Sequence, residues 1–452
     1  MIGSRFAAII LAAGEGKRLA SARPKVLHEI AGQAMVSHVI AALLPLEPTA
    51  TVVVIGPDMR AVADAVAPAQ SVIQATPRGT GDAVRAARAA LADRLAAGDI
   101  ADILVLFGDT PLLHSATIAR LLEARRCAPA AAIAVAGFRP AEPGPYGRLV
   151  LDPDGGLARI VEAGDANAEE RAIGLCNGGI MALAADRAFE LVDRIGNSNA
   201  QREFYLTDIV ALARADGLSC RVVELPAEEV LGVNTRAELA AAEALMQQRL
   251  RRRAMEAGAT LIDPATVFLA ADTTLGRDVV IEPNVFFGPG VTIADNVRVR
   301  SFSHLEGATI GEGAVVGPFA RLRPGAVLET QVHVGNFVEV KATRLGTGVK
   351  ANHLSYLGDA DIGAGTNIGA GTITCNYDGF GKSRTIIGEE AFIGSNTALV
   401  APVTVGNRAY VATGSVVTSD VPADALTIAR ARQVDKPGRA AALRARLQGK
   451  KG

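Results

Sequence analysis

Apolar residues recur at every sixth position through the second half of the chain. A period of six fits neither an α-helix nor a simple alternating strand. It suits a triangular coil, in which each six-residue unit supplies one short strand and one corner and three units close a turn. The pattern therefore predicts a parallel β-helix whose periodic residue points inwards. The runs are Leu269, Leu275, Ile281, Phe287, Ile293, Val299 and Leu305, then Ile310, Val316, Leu322, Leu328, Val334 and Val340, and later Ile387, Ile393, Leu399, Val405, Val411 and Val417.

The first half has a different pattern, in which short apolar runs alternate with amphipathic stretches such as residues 81–97. Alternation of strand-like and helix-like segments is typical of an α/β domain with a mostly parallel, doubly wound (Rossmann-like) sheet. The predicted strands are residues 6–11, 51–55, 71–74, 103–107 and 131–137.

A helix is predicted between the two halves. Thr235 and Glu238 have the spacing of a capping box, and helix-favouring residues follow until Gly258, which is a stop signal. We therefore expect an α/β domain over residues 1–236, a helical linker over 237–257 and a β-helix domain over 258–452.

Composition narrows the class of protein. The 452 residues are 49% hydrophobic and 21% charged, the balance of a globular protein, and the net charge of -1 argues against nucleic-acid binding. The four cysteines lie far apart, which excludes a disulfide scaffold and indicates a reducing compartment. No apolar run reaches the roughly 18 residues that a membrane span needs. We expect a multidomain cytoplasmic protein.

A glycine-rich loop follows the first predicted strand. In the segment from Leu11 to Arg18, Gly14 and Gly16 would let backbone amides approach a phosphate chain, and Lys17 and Arg18 add positive charge. A tight strand-to-helix turn explains the same glycines. The loop is neither a dinucleotide fingerprint nor a Walker A loop, because it lacks the later acidic residue of the first and the GKS/T ending of the second.

Two features of the second half suggest further chemistry. Arg323 and Lys341 follow inward positions 18 residues apart, so they should stack at one corner as an anion site or as a solvated pair. His353 lies where the repeat becomes irregular, before a loop from Cys375 to Arg384. A histidine there could take a proton from an ammonium group so that the amine attacks a thioester, or it could be structural.

The loop and the Pro24-Lys25 pair that follows it resemble the signature of sugar-1-phosphate nucleotidyltransferases. The resemblance implies that Lys25 and Arg18 act on phosphates, that Asp109 and Asn234 hold Mg²⁺, and that a sugar-1-phosphate oxygen attacks the α-phosphate of a nucleoside triphosphate. Gln74, Gly79 and Thr80 resemble the base-binding turn, and the segment 177–179 is expected to form a turn at the sugar. The UTP and product site would contain Leu11, Ala12, Ala13, Gly14, Lys25, Gln74, Gly79, Thr80, Asp109, Gly147, Glu162, Asn177 and Asn234.

Residues 5–430 as a whole resemble the bacterial family of bifunctional UDP-N-acetylglucosamine pyrophosphorylases and glucosamine-1-phosphate N-acetyltransferases. The resemblance implies a left-handed coil, although the general rule for parallel crossovers would predict a right-handed one. It also implies a homotrimer with grooves between neighbouring prisms, and His353 as the general base. Glucosamine-1-phosphate would be held by Arg323, Lys341, Tyr356 and Asn367. Acetyl-CoA would lie along Ala370, Asn376, Tyr377, Lys382, Ser395, Thr413 and Arg430.

Three residues depart from this family's pattern, namely Lys17, Phe107 and Thr413. Contacts that the backbone makes to a ligand would be kept, because they do not depend on these three side chains. Two other hypotheses remain open from sequence. One is a different sugar-1-phosphate nucleotidyltransferase with a regulatory or oligomerising β-helix, and the other is a non-enzymatic trimeric scaffold. The alternative nucleotidyltransferase would not need His353, Arg323 and Lys341.

Overall fold

The computed structural model describes residues 5–14 and 16–448, and the side chain of Lys17 lies outside the described part. The chain forms two compact units, one that ends at Leu250 and one that begins at Arg251. Every helix in the described ranges is too short or too polar to cross a lipid bilayer.

The first unit alternates strands and helices as its apolar pattern predicts. Its strands are β1 (Phe6–Leu11), β2 (Glu29–Ile30), β3 (Gln33–Ala34), β4 (Ala50–Ile55), β5 (Gln70–Ile73), β6 (Asp102–Phe107), β7 (Ile133–Phe138), β8 (Arg148–Leu151), β9 (Leu157–Val161), β10 (Cys176–Ala184) and β11 (Cys220–Glu224). Its helices are α1 (Met35–Leu43), α2 (Arg60–Val66), α3 (Thr80–Ala86), α4 (Arg88–Ala96), α5 (Ser115–Arg126), α6 (Ala168–Arg171), α7 (Ala185–Asp193) and α8 (Ile209–Ala215). The amphipathic stretch 81–97 thus forms two helices.

The sheet of this unit is mixed, with four of the six pairings along its main order parallel. Its main order is β11-β7-β10-β6-β1-β4-β5, and β10 runs antiparallel to both of its neighbours. The expected turn at 177–179 is wrong, because these residues belong to β10, where the register shifts between Asn177 and Met181. A glycine at 179 makes this irregularity possible, since Gly179 has φ +81° and a Cβ there would lie 2.9 Å from the Phe107 ring. Apolar side chains on the two faces of the sheet form two separate cores.

Helix α9 (Arg236–Glu256) contains the boundary between the two units. The predicted capping box is present: the Glu238 amide donates to the Thr235 hydroxyl at 3.2 Å, and the Thr235 amide donates to the Glu238 carboxylate at 2.8 Å. The chain leaves the helix through Gly258, whose φ of +105° favours glycine.

The second unit is a three-sided parallel β-helix. Its elements are β12 (Thr260–Leu261), β13 (Thr274–Leu275), β14 (Val280–Ile281), β15 (Phe286–Phe287), β16 (Thr292–Ile293), β17 (Arg298–Val299), β18 (His304–Leu305), β19 (Ala308–Ile310), β20 (Val315–Val316), β21 (Arg321–Leu322), β22 (Ala326–Leu328), β23 (His333–Asn336), β24 (Glu339–Lys341), β25 (Arg344–Leu345), β26 (Lys350–His353), β27 (Tyr356–Gly358), β28 (Ala360–Ile362), β29 (Asn367–Ile368), β30 (Ile373–Cys375), β31 (Thr385–Ile387), β32 (Phe392–Ile393), β33 (Ala398–Val400), β34 (Val403–Val405), β35 (Tyr410–Val411), β36 (Val416–Val417), β37 (Leu426–Thr427) and the C-terminal helix α10 (Arg439–Gln448).

These strands stack into three sheets, which we call face 1, face 2 and face 3 in the order in which the chain visits them. Face 1 runs β12-β14-β17-β20-β23-β26-β29-β32-β35-β37, face 2 runs β15-β18-β21-β24-β27-β30-β33-β36, and face 3 runs β13-β16-β19-β22-β25-β28-β31-β34. Register follows the sequence period, since Ile281 pairs with Val299, 18 residues on. The periodic apolar residues point inwards as predicted, and all of them are buried except Leu275, which is half-buried. We call the edge of the prism at which the chain passes from face 1 to face 2 the 1–2 corner, and the edge at which it passes from face 2 to face 3 the 2–3 corner.

Candidate active sites

The glycine-rich loop joins β1 to a short turn, Lys17–Leu19, and packs against the turn that carries Lys25. Gly16 has φ +68°, and a Cβ at that position would lie 2.5 Å from the Lys25 Cβ. Only glycine allows both the backbone conformation and this close approach. The local sequence thus places the loop and Lys25 side by side.

The Lys25 ammonium meets two oxygen ligands from distant parts of the chain. It forms an ion pair with the Asp109 carboxylate, just beyond β6, and donates a 2.6 Å hydrogen bond to Asn234 Oδ1. The Asn234 amide nitrogen donates to the Gly232 carbonyl at 3.3 Å, which leaves its oxygen facing Lys25. A carboxylate and an amide oxygen that converge on one positive charge fit Mg²⁺, which also keeps waters and binds substrate phosphates.

Two adjoining cavities of about 390 and 710 Å³ open at this point, each of the size of a small-molecule site. Gln74, Thr80 and Asp109 are among the residues that line the smaller one. The larger one adds Arg18 and Gly16. The structure brings together ten of the expected nucleotide-site residues along the smaller cavity, namely Leu11, Ala12, Ala13, Gly14, Lys25, Gln74, Gly79, Thr80, Asp109 and Asn234.

The remaining three expected residues form a cluster of their own. A Cβ on Gly147 would lie 3.4 Å from the Glu162 carboxylate and 3.5 Å from the Asn177 Cβ. Phe107 lines the smaller cavity and lies beside Gly179, whose amide donates a 2.9 Å hydrogen bond to Asn177 Oδ1 of this cluster. Burial raises the pKa of the Glu162 carboxyl, and the charges of Asp208 and Asp165 raise it further, while a 3.0 Å hydrogen bond from Thr207 opposes the shift.

In the second unit, a charged cluster occupies the 2–3 corner. Arg323 and Lys341 stack there as predicted, because β21 and β24 pair Leu322 with Val340. Each cation has an acidic partner: Arg323 lies 2.9 Å from the Glu339 carboxylate, and Lys341 lies 3.1 Å from that of Asp359. Contact with Lys382, and then with Asp359, raises the pKa of Lys341, whereas Lys341 lowers the pKa of Lys382.

The loop after β30 adds the rest of this cluster. The side chain of Asn376 is buried and donates to Asp359, and its nitrogen lies 3.5 Å from the Tyr356 hydroxyl. Tyr377 forms an antiparallel bridge with Lys382. At the end of the loop, Phe380 is 99% exposed.

His353 lies elsewhere, at the 1–2 corner and at the end of β26. Its Nδ1 is 2.8 Å from Asn336 Oδ1, on the preceding coil. Further along the same corner the Gly371 amide donates to the His353 carbonyl at 3.3 Å, and the Asn396 amide donates to the Ala370 carbonyl at 2.7 Å. Ser395 and Thr413 lie at the same corner on later coils. The Thr413 carbonyl accepts a 2.8 Å hydrogen bond from Arg430.

Not every expected partner is brought together within one chain. Tyr356 lies on face 2, whereas Asn367 pairs with Lys350 and Phe392 on face 1. Ala370, Ser395, Thr413 and Arg430 follow the 1–2 corner, while Asn376, Tyr377 and Lys382 belong with Lys341 at the 2–3 corner. The candidate residues of the second unit therefore form two groups on two edges of the prism.

Four contact residues were not expected from the sequence. They are Asp82 beside Gln74, Glu339 and Asp359 beside the stacked cations, and Asn336 beside His353. The coil period could have found Glu339 and Asn336, which lie 16 and 17 residues from Arg323 and His353.

Comparison with known proteins supports the division of chemistry between the units. The profile of the MobA-like NTP transferase domain matches residues 8–252. Profiles of the bacterial transferase hexapeptide (six repeats) and of the hexapeptide repeat of succinyl-transferase match residues 272–307 and 384–419. With these matches, the stacking of the three faces is that of a left-handed β-helix of hexapeptide repeats.

Relatives with the same full-length organisation are similar to the chain from end to end. A protein of Paramagnetospirillum magneticum, named bifunctional protein GlmU, is 53% identical over all 452 residues and over 99% of its own length. Proteins of the same name from Acidiphilium cryptum and Rhodospirillum rubrum are 58% and 57% identical, with 97% and 98% of this chain and 98% of their own lengths covered.

The chain belongs to the GlmU family. As a GlmU family member it is a bifunctional enzyme, with uridylyltransferase and acetyltransferase activities in the synthesis of a cell-wall precursor. This membership favours the bifunctional hypothesis over a regulatory β-helix or a scaffold.

Proposed function

We propose that each activity belongs to one unit: the first transfers a uridylyl group from UTP to N-acetylglucosamine-1-phosphate, and the second acetylates glucosamine-1-phosphate with acetyl-CoA. The observation that carries this division is the convergence of Lys25, Asp109 and Asn234 beside a nucleotide-sized cavity in the first unit. His353 and the cation cluster lie in the other unit. Acetyl-CoA and UTP are cytoplasmic metabolites, and the cytoplasm is the compartment we propose.

In the first unit, the sugar-phosphate oxygen attacks the α-phosphorus of UTP and pyrophosphate leaves. Such a reaction depends on positioning and on neutralisation of the phosphate charge. Lys25 and Arg18, both on the cavity walls, supply positive charge to the phosphates. Asp109 and Asn234 would hold Mg²⁺, which supplies further neutralisation when bound. Gly147, Glu162 and Asn177 would contact the sugar.

In the second unit, His353 acts as the general base. With its Nδ1–H donating to Asn336 Oδ1, the other ring nitrogen, Nε2, carries the free lone pair. Nε2 takes the proton that the amino group of glucosamine-1-phosphate loses as its nitrogen attacks the thioester carbonyl, and the thiolate of coenzyme A leaves. Arg323 and Lys341 hold the phosphate of the amino sugar.

The separation of these residues supports an acetyl-transfer site shared between chains. Lys341 pairs with Gly358, five residues beyond His353, so the two groups stand at opposite ends of β27. At about 3.3 Å per residue this is up to about 16 Å of extended chain. A groove between two copies, with the 1–2 corner of one against the 2–3 corner of the next, would unite them. We therefore propose a homotrimer, the cyclic arrangement that gives three equal grooves.

An exposed aromatic ladder on the 1–2 corner also supports this assembly. Phe302, Phe319 and Phe337 stack with centroids 5.0 and 5.1 Å apart and remain 45–56% exposed. All three have positive φ, which is rare for bulky residues. A contiguous apolar patch of this kind marks an interaction surface.

A reciprocal pair of variants tests the division of labour. His353→Ala should lose acetylation of glucosamine-1-phosphate by about 10²–10⁴-fold, the usual cost of a lost general base, and keep uridylyl transfer. Lys25→Ala should do the opposite. Both reactions are followed in the same preparations, as thiol release and pyrophosphate release. Loss of both activities in either folded variant would contradict the division, and normal acetylation by His353→Ala would make His353 structural.

A further inference from the structure

The side chain of Gln74 lines the proposed nucleotide cavity and is held in one orientation. It is only 5% exposed, and its Nε2 donates to the Gly79 carbonyl at 3.1 Å and to Asp82 Oδ2 at 3.0 Å. Both neighbours are hydrogen-bond acceptors only, so the amide cannot turn over without placing oxygen against oxygen. Both amide hydrogens are therefore used, and Oε1 is the atom left for a ligand.

Asp82 is itself held in place from its other side. Its second oxygen, Oδ1, lies 3.2 Å from the Arg78 guanidinium and 3.6 Å from that of Arg85. Both guanidinium groups also lie over the ring of Phe204, at 5.8 and 5.2 Å from its centroid. Because Oδ1 faces these cations, Oδ2 stays turned towards Gln74.

We propose that Asp82 is a positioning residue that selects the nucleobase through Gln74. The inference rests on the proposed function, in which this cavity binds the base of UTP. An acceptor at Gln74 Oε1 suits a base with a ring N–H, such as N3–H of uracil. Cytosine presents a bare N3 lone pair in that position, so two acceptors would face each other and remain unsatisfied.

The substitution Asp82→Asn should release this fixed orientation. The new amide oxygen would turn to the two guanidinium groups, and its NH₂ would face Gln74. Gln74 would then lose one of its two hydrogen bonds in either orientation: with its NH₂ inwards it faces the new NH₂, and with its oxygen inwards it faces the Gly79 carbonyl. Its amide would no longer be held one way, and the turned-over form would present NH₂ to the cavity, where it matches N3 of cytosine. The change removes one charge and keeps the size of the side chain.

The test compares the specificity constants kcat/KM of the full-length protein for UTP and CTP, with N-acetylglucosamine-1-phosphate and Mg²⁺. The wild-type protein should prefer UTP by about 100-fold or more, as expected for a site built around one hydrogen bond. Asp82→Asn should reduce that ratio by at least about tenfold. Arg78→Gln is the matched control: it removes a contact of Oδ1, leaves the Gln74 bond in place, and should keep the ratio.

Each outcome separates the hypotheses. An equal loss of activity with both nucleotides would mean that Asp82 is merely structural and would overturn the proposal. If the wild-type protein does not turn over UTP, the proposed function fails instead. Should Asp82→Asn not fold, as judged by its thermal midpoint and by acetyl transfer, the wild-type protein still decides. The proposal requires 3-methyl-UTP, which lacks N3–H, to be a poor substrate, and equal turnover of 3-methyl-UTP and UTP would overturn it.

Discussion

The Lys25 ammonium donates a 2.6 Å hydrogen bond to the side-chain oxygen of Asn234, 209 residues further along the chain. The same ammonium pairs with Asp109. One lysine thus binds both oxygen ligands that we assign to Mg²⁺, and in the free protein the lysine and the metal compete for the same two oxygens.

Lys25→Ala should therefore bind a divalent cation more tightly than the wild-type protein in the absence of nucleotide, by about 3–10-fold, since a neighbouring positive charge is removed. Mn²⁺ titration followed by electron paramagnetic resonance measures this affinity. Asp109→Asn should weaken it. Arg23→Ala, which removes a nearby cation paired with Glu29, is the control and should leave it unchanged. Weaker Mn²⁺ binding by Lys25→Ala would refute the shared-ligand account.

Asn336 gives a second prediction, because the identity of its contacting atom sets the tautomer of His353. If Oδ1 accepts from Nδ1–H, then Asn336→Asp keeps an acceptor and should retain acetyl transfer within about threefold, whereas Asn336→Ala should lose about tenfold or more in kcat. Thiol release measures both variants. A severe loss in Asn336→Asp together with a mild loss in Asn336→Ala would indicate the opposite tautomer and contradict the assignment of Nε2 as the base.

Glu162 predicts a pH dependence of stability. Its folded-state pKa is raised above the ordinary value of 4.5, chiefly by burial, so folding favours the protonated form. Its contribution to stability is fully present below the unfolded-state pKa and is lost as the pH rises through the folded-state pKa. Glu162→Gln removes that loss. Its thermal midpoint relative to the wild-type protein should rise between pH 4 and 7, and a constant or falling difference would show that Glu162 is not buried as described.

The parts of the fold that depend on a repeated local pattern could be predicted from sequence. The inward positions from Ile281 to Val417 are buried because each face of every coil places one apolar side chain inside the prism. Strand β1 has its predicted bounds because a continuous apolar run in a buried parallel strand needs no other information. Strand β10 was missed because Gly178 and Gly179 indicate a turn. In the sheet they lie where a Cβ would come within 3.1 Å of the Ala136 carbonyl and 2.9 Å of the Phe107 ring, and this tertiary requirement for glycine is not visible in the sequence.

The same distinction between local pattern and tertiary contact applies to the residues of the candidate sites. Lys25, Asp109 and Asn234 could be named from motifs, but their convergence on one point is a property of the folded sheet. Asp82 acts on the side chain of Gln74, and no local pattern reports such a contact, whereas the coil period could have located Asn336 beside His353. The separation of His353 from Lys341 could have been inferred from the coil period, since 12 residues are two units of a three-unit turn and place the two residues at different corners.

Complementation between two inactive variants tests the shared groove most directly. His353→Ala and Lys341→Ala should each abolish acetyl transfer alone while keeping uridylyl transfer. Trimers that contain both variants, isolated by two different tags, should have one intact groove in three, formed by His353 of one chain and Lys341 of the next, and should recover about a third of the wild-type acetyl-transfer rate. Mixed trimers as inactive as either parent would show that both residues must come from one chain and would contradict the account.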